Sequence, residues 1–249
     1  MATSFGALCN DFYINMKVSL KMDLPSDRET ILHLFDRVRK SVPDMSNFRR
    51  YDGELALEST RREAEYQWLA LRQNSIRSGH VNPESMAEGY KLHELILDIA
   101  PYHLTISPLD VDYFELLFGF DLECKGNHDQ VVADALFTDT PLSPLVHLPD
   151  GKLVDVQPVF GYSLTDNGDR QCHIEVKTRR RGRRGASGKY RNEPISIFLT
   201  LRQYGPFDKI EDFKPAFENL ASQADGIAVD TVVPHVLTPI ARHITSSSP

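Results

Sequence analysis

Phe12-Tyr13-Ile14-Asn15-Met16-Lys17-Val18-Ser19-Leu20-Lys21-Met22-Asp23-Leu24 alternates between apolar and polar or amphipathic side chains without a break. Successive side chains of an extended chain point to opposite faces, so period-two alternation predicts a strand with one buried face and one wet face. A one-sided strand suits an antiparallel or mixed sheet, because parallel strands are as a rule covered on both faces. The pattern returns in Phe114, Leu116, Phe118, Phe120, Leu122 and Cys124, interleaved with Tyr113, Glu115, Leu117, Gly119, Asp121 and Glu123. The chain therefore opens twice in the same way.

After the first strand, Ser26 and Glu29 have the spacing of a capping box, and Ile31, Leu34, Phe35, Val38 and Val42 mark one face of a helix that Pro43 stops. Two strands are expected near 49–59 and 65–73. A second helix is expected from the cap Asn82-Pro83 to Pro101, with Met86, Tyr90, His93, Leu97 and Ala100 in its apolar stripe. In the second half a short helix over 129–137 precedes a Pro-rich loop (138–151). Strands over 156–164, 170–177 and 195–202 follow, then helical patterns over 209–221 and 231–244, the last kinked by Pro239.

The fold class read from these elements is α+β. It is an antiparallel or mixed sheet with helices on one face, built by tandem duplication of a strand–helix–strand–strand–(strand)–helix unit. The halves are residues 1–107 and 108–249, either two domains or one continuous domain. Two such sheets joined edge to edge would leave a broad polar face or a cleft between the halves.

The bulk numbers agree with a globular chain. Of 249 residues 41% are apolar and 25% charged, which excludes collagen-like and fully disordered chains. No run approaches the roughly 18 apolar residues of a membrane helix, and no membrane partner is expected. The start, residues 1–10, has no positive charge and no apolar run of signal-peptide length. Three scattered cysteines, Cys9, Cys124 and Cys172, have no CxxC spacing, so neither a disulfide framework nor a thiolate zinc site is expected. Together these readings predict a cytoplasmic protein.

Charge is unevenly spread. Residues 177–191 hold eight basic side chains and no acid, while the other residues carry 20 basic against 35 acidic side chains, a charge of −15. The segment lies between two strands and reads as a long hairpin loop. Arg179, Arg180, Arg181, Arg183, Arg184, Lys189 and Arg191 are its candidate partner-binding residues. Arginine suits carboxylate and phosphate alike, so the partners expected are an acidic protein surface, nucleic acid, or the chain's own acidic body in a homo-oligomer. Tyr190 is the single aromatic residue among them and offers little base stacking.

Gly126-Asn127-His128-Asp129 resembles the GNH[DE] element of calcineurin-like metallophosphoesterases, in which the Asn binds a metal and the His assists at the phosphate. That resemblance implies a metal-assisted hydrolase. It covers four residues: the upstream Asp-x-His and Gly-Asp elements and the downstream Gly-His-x-His are missing. The simpler expectation is a turn at Gly126 and a helix cap at Asn127, with no metal ligands and no cofactor.

The nine histidines show no HxH or HExxH spacing, and His93 on an apolar helix face is expected to be a core histidine. Glu54 and Glu58 lie on the wet face of one strand, and Glu115, Asp121 and Glu123 on that of another; neighbouring strands would make them a carboxylate site, isolated strands a solvated surface. No phosphate-cradling glycine motif and no Gly-x-Ser-x-Gly elbow occurs. No catalytic residue is assigned. The sequence thus predicts a binding or assembly protein using the Arg-rich loop, with a small-ligand binder at the cleft between halves, or a hydrolase around His128, as alternatives.

Overall fold

The computed structural model describes Phe5 and residues 8–60, 64–178 and 193–247. Among the described residues nine strands form one sheet: β1 (Asp11–Leu20), β2 (Met45–Tyr51), β3 (Glu54–Ser59), β4 (Tyr66–Arg72), β5 (Ser75–Val81), β6 (Val111–Leu122), β7 (Val159–Ser163), β8 (Arg170–Lys177) and β9 (Ile195–Tyr204). Their order across the sheet is β2-β3-β4-β5-β1-β6-β9-β8-β7. Every neighbouring pair is antiparallel. The helices are α1 (Arg28–Ser41), α2 (Met86–His103), α3 (His128–Phe137), the single turn α4 (Ser143–Val146), α5 (Phe213–Ile227) and α6 (Thr238–Ser247). The fold is α+β.

Each half opens with a strand, crosses through helix, and returns by a meander whose last strand pairs with the opening one: β5 with β1, β9 with β6. The halves meet at β1 and β6, which run side by side from Asp11 opposite Asp121 to Ser19 opposite Tyr113. The strands on either side of that junction belong to one continuous sheet.

Alternation explains which side is covered. Phe12, Ile14, Met16 and Val18 of β1 meet Phe114, Leu116, Phe118 and Phe120 of β6 on one face, all at most 3% exposed. Leu34, Val38, Ile96, Phe213, Phe217 and Leu220 from α1, α2 and α5 pack into the same core cluster. Burying side chains of this size yields about 1.5–3 kcal/mol each, which fixes the register: a one-residue slip would turn the whole set to water.

Several boundaries differ from the sequence reading. β1 ends at Leu20, where its register against β6 shifts and Lys21 N–H turns to donate to Asp110 O (2.8 Å). Met22 beyond it is exposed. The cap of α1 is Asp27, whose carboxylate accepts from Thr30 N (2.9 Å), not Ser26. The expected strand over 49–59 is the hairpin β2–β3, turning at Asp52-Gly53 with Gly53 at φ +68°. β5 is a strand the sequence reading lacks. α2 is capped by Ser85 rather than Asn82, and it runs through Pro101 to His103. In the C-terminal helical stretch the irregularity is a π-helical segment (Ala228–Leu237) holding Pro234, while Pro239 is accommodated near the start of α6. No described helix is long and apolar enough to cross a membrane.

Candidate functional site

The face of the sheet that no described helix covers gathers the polar positions of the alternation. One row across it runs Ala70, Arg77, Lys17, Glu115, Arg202 and Gln171, each opposite the next on neighbouring strands. Aromatic side chains flank that row. Lys17 Nζ lies 5.0 Å from the Tyr113 ring centre and Arg202 Cζ 5.3 Å from the same ring, Arg77 Cζ lies 5.7 Å from the Trp68 ring, and Lys177 Nζ 5.3 Å from Phe198. A cation over a π face is attracted by the ring quadrupole, and the contact strengthens where water is excluded.

Two glycines let the rings lie flat. A Cβ at Gly79 would overlap the Trp68 indole, and one at Gly119 would overlap the Tyr13 ring. Any larger residue there would lift the aromatic ring off the sheet. These side chains were within reach of the sequence reading, since Tyr13, Lys17, Tyr113 and Glu115 stand at wet positions of the two alternating strands. Arg77 was not, because Ser78 and His80 on the core face of β5 break the alternation there.

The carboxylates are spread out. Glu54 and Glu58 on β3 are separated from Glu115 on β6 by β4, β5 and β1, so the two sets form no joint site. Glu54 accepts from Arg72 Nε (2.6 Å), Glu58 from Tyr51 Oη (2.7 Å) and Glu115 from Arg202 Nε (2.6 Å). Burial opposes the Arg202 charge, but the Glu115 carboxylate outweighs it and holds the guanidinium above its usual value. Lys17 donates to Tyr113 Oη (2.7 Å), so its positive charge is not offset by that partner.

Gly126-Asn127-His128-Asp129 is a structural knot. Gly126 turns at φ +105°, and Asn127 caps α3 by accepting from Asp129 N (3.2 Å) while its amide donates to Leu153 O (3.2 Å). His128 is buried and its Nε2 donates to Cys124 O (3.0 Å). The buried Asp129 Oδ1 accepts from Val156 N (2.9 Å) and Thr178 Oγ1 (2.6 Å). The string thereby ties the long connection before β7, and Thr178 just after β8, to α3. Among the described residues no group of three His, Cys, Asp or Glu side chains is placed to hold a metal.

Ser78 Oγ and His93 Nδ1 lie 2.7 Å apart. Both are 0% exposed, sealed between β5 and α2, so no substrate reaches the hydroxyl. Burial, then the charge of nearby His80, pushes the His93 pKa down to about 3. The imidazole is thus a neutral core group, as expected of that position. Burial also raises the thiols of Cys9 (to about 12), Cys172 (to about 11) and Cys124, which suppresses their thiolates.

Where the halves meet at one end of the seam, a cleft of about 600 Å³ is lined by Leu8, Cys9 and Asn10, by Leu122 and Glu123, and by α6 residues including Ala241 and Arg242. The candidate partner-binding residues Arg179, Arg180, Arg181, Arg183, Arg184, Lys189 and Arg191 lie outside the described residues. What is placed is their origin: the segment leaves β8 at Lys177, opposite Ser196 of β9. The chain matches no known family model and no curated protein.

Proposed function

We propose that this is a binding protein whose uncovered sheet face receives an acidic protein partner, with the Arg-rich segment as a second arm toward the same partner. The observation that carries the reading is the row Arg77, Lys17, Glu115 and Arg202, three cations to one carboxylate, with the cations against Trp68 and Tyr113. Arg, Trp and Tyr are the side chains that most often dominate binding energy at protein interfaces. The acidic remainder of the chain would repel a phosphate backbone running across it. In this reading the protein acts in the cytoplasm and performs no chemistry of its own, and residues 1–107 and 108–249 are repeats of one unit.

The test is polyglutamate binding by the full chain, measured against a single-stranded oligonucleotide. Polyglutamate is expected to bind at low salt and release at high salt. Lys17→Ala/Arg77→Ala and a chain lacking 179–189 should each weaken it. Equal binding by all three chains, or tighter binding of the oligonucleotide, sinks the reading. A second reading, a small ligand in the cleft beside Cys9, is supported by its lining from both halves; a thermal-shift screen that never moves the midpoint counts against it.

A further inference from the structure

We infer that β7 is the docking edge for a second copy of this chain, giving a two-fold dimer in which the two sheets run on as one. β7 closes one side of the sheet, and no described strand pairs with its outer edge. All five of its residues are exposed. Val176 N donates to Pro158 O (3.0 Å) and Leu164 N to Arg170 O (2.8 Å). Antiparallel bonding alternates residue by residue, so Phe160 and Tyr162 also bond inward to β8. Val159, Gly161 and Ser163 then direct their N–H and C=O groups outward, as a strand template does.

The sequence of that edge pairs with itself. Set antiparallel about Gly161, Val159 meets the partner's Ser163 and Gly161 meets the partner's Gly161, all in hydrogen-bonded positions. Phe160 meets the partner's Tyr162, and by symmetry Tyr162 meets the partner's Phe160. These two side chains are 49% and 50% exposed, and aromatic cross-strand pairs are a main source of sheet cohesion. No charge stands in Val159–Ser163. Continuing the register, Asp155 meets Asn167 and Asp166 meets Val156, so no like charges oppose. A standard interface takes about 800 Å² from each partner. Five-residue pairing supplies part of that, and Val154, exposed five residues before β7 begins, would extend the paired stretch.

This inference extends the assembly side of the reading above and does not need an acidic partner. The test is the solution mass of the full chain by size exclusion with light scattering. Twice 28.2 kDa is expected, unchanged on raising the salt, since main-chain bonds and aromatic contacts are little screened. Gly161→Pro removes an outward amide and leaves the inward bonds of Phe160 and Tyr162, so it should give a folded monomer that melts cooperatively below the dimer's midpoint, its added Cβ meeting only the His173 ring at 3.2 Å. Phe160→Glu/Tyr162→Glu and Phe160→Lys/Tyr162→Lys should each be monomeric alone and should form a mixed dimer together, because in this register acid meets base. A parent chain that stays monomeric as concentration rises overturns the inference. So does a dimer that survives Gly161→Pro, or one that salt dissolves. Polyglutamate binding by the Gly161→Pro monomer is the separate readout: its presence or absence judges the acidic-partner reading and leaves the dimer result standing.

Discussion

The two edges of the sheet are built differently. β2 carries Arg49 and Arg50, both exposed, and has a register shift against β3 between Met45 and Asn47. Helix α1 packs beside it, with the Phe35 and Phe48 rings 5.8 Å apart. Charge, irregularity and an adjoining helix are three recognised ways of keeping a strand edge from recruiting another chain. β7 has no charged residue and a regular register, and its shortness is its one restraint. An edge that could have been blunted, in a chain that blunts its other edge, points to use.

The largest contrast lies between either edge and the seam. Phe118→Ala, at 0% exposure in β6, should cost about 3–5 kcal/mol in urea unfolding, while Phe160→Ala in the monomeric Gly161→Pro background should cost less than about 0.5 kcal/mol. Equal losses would mean that β7 is covered in solution by its own chain. Next comes the anchor of the segment leading to β7. Asp129→Ala leaves the Val156 amide and Thr178 hydroxyl without their acceptor and should cost about 1–3 kcal/mol. Hydrogen exchange should quicken at Val156 and leave β2 unaffected.

Acid should act through the other half. The folded His93 resists protonation that the unfolded chain accepts near its ordinary value of 6.5. Its contribution to stability is therefore complete above pH 6.5 and falls as the pH drops toward about 3, by at most about 1.4 kcal/mol per pH unit. His93→Gln should flatten that slope in denaturant titrations repeated across pH, and an unchanged slope would mean that other groups carry it. Arg49→Ala/Arg50→Ala should likewise change stability by no more than about 0.5 kcal/mol. Its readout is mass: removing the guard of β2 should add higher oligomers to the dimer.

How far the fold could be read from the residues depended on burial. β1 and β6 were legible because each pairs a nearly unbroken apolar face with a polar one. β5 was not, because Ser78 and His80 stand on its core face and break the alternation. Their burial is tolerated because His93 and Glu65 bond to them (2.7 and 2.8 Å). The β2–β3 turn had a usable signal in Asp52-Gly53, the dipeptide of tight hairpins. The cap at Asn127 followed from local chemistry. The cation–ring row did not, since it is assembled across β4, β5, β1, β6 and β9, and no local spacing encodes which strands become neighbours.

The chain has a single tryptophan, and that indole rests over Gly79 on the uncovered face with Arg77 against its ring. Its emission is consequently a built-in optical probe of that surface. Anything that lands there and displaces the guanidinium should change the colour or brightness of the fluorescence, with no dye attached and no second indole to blur the signal.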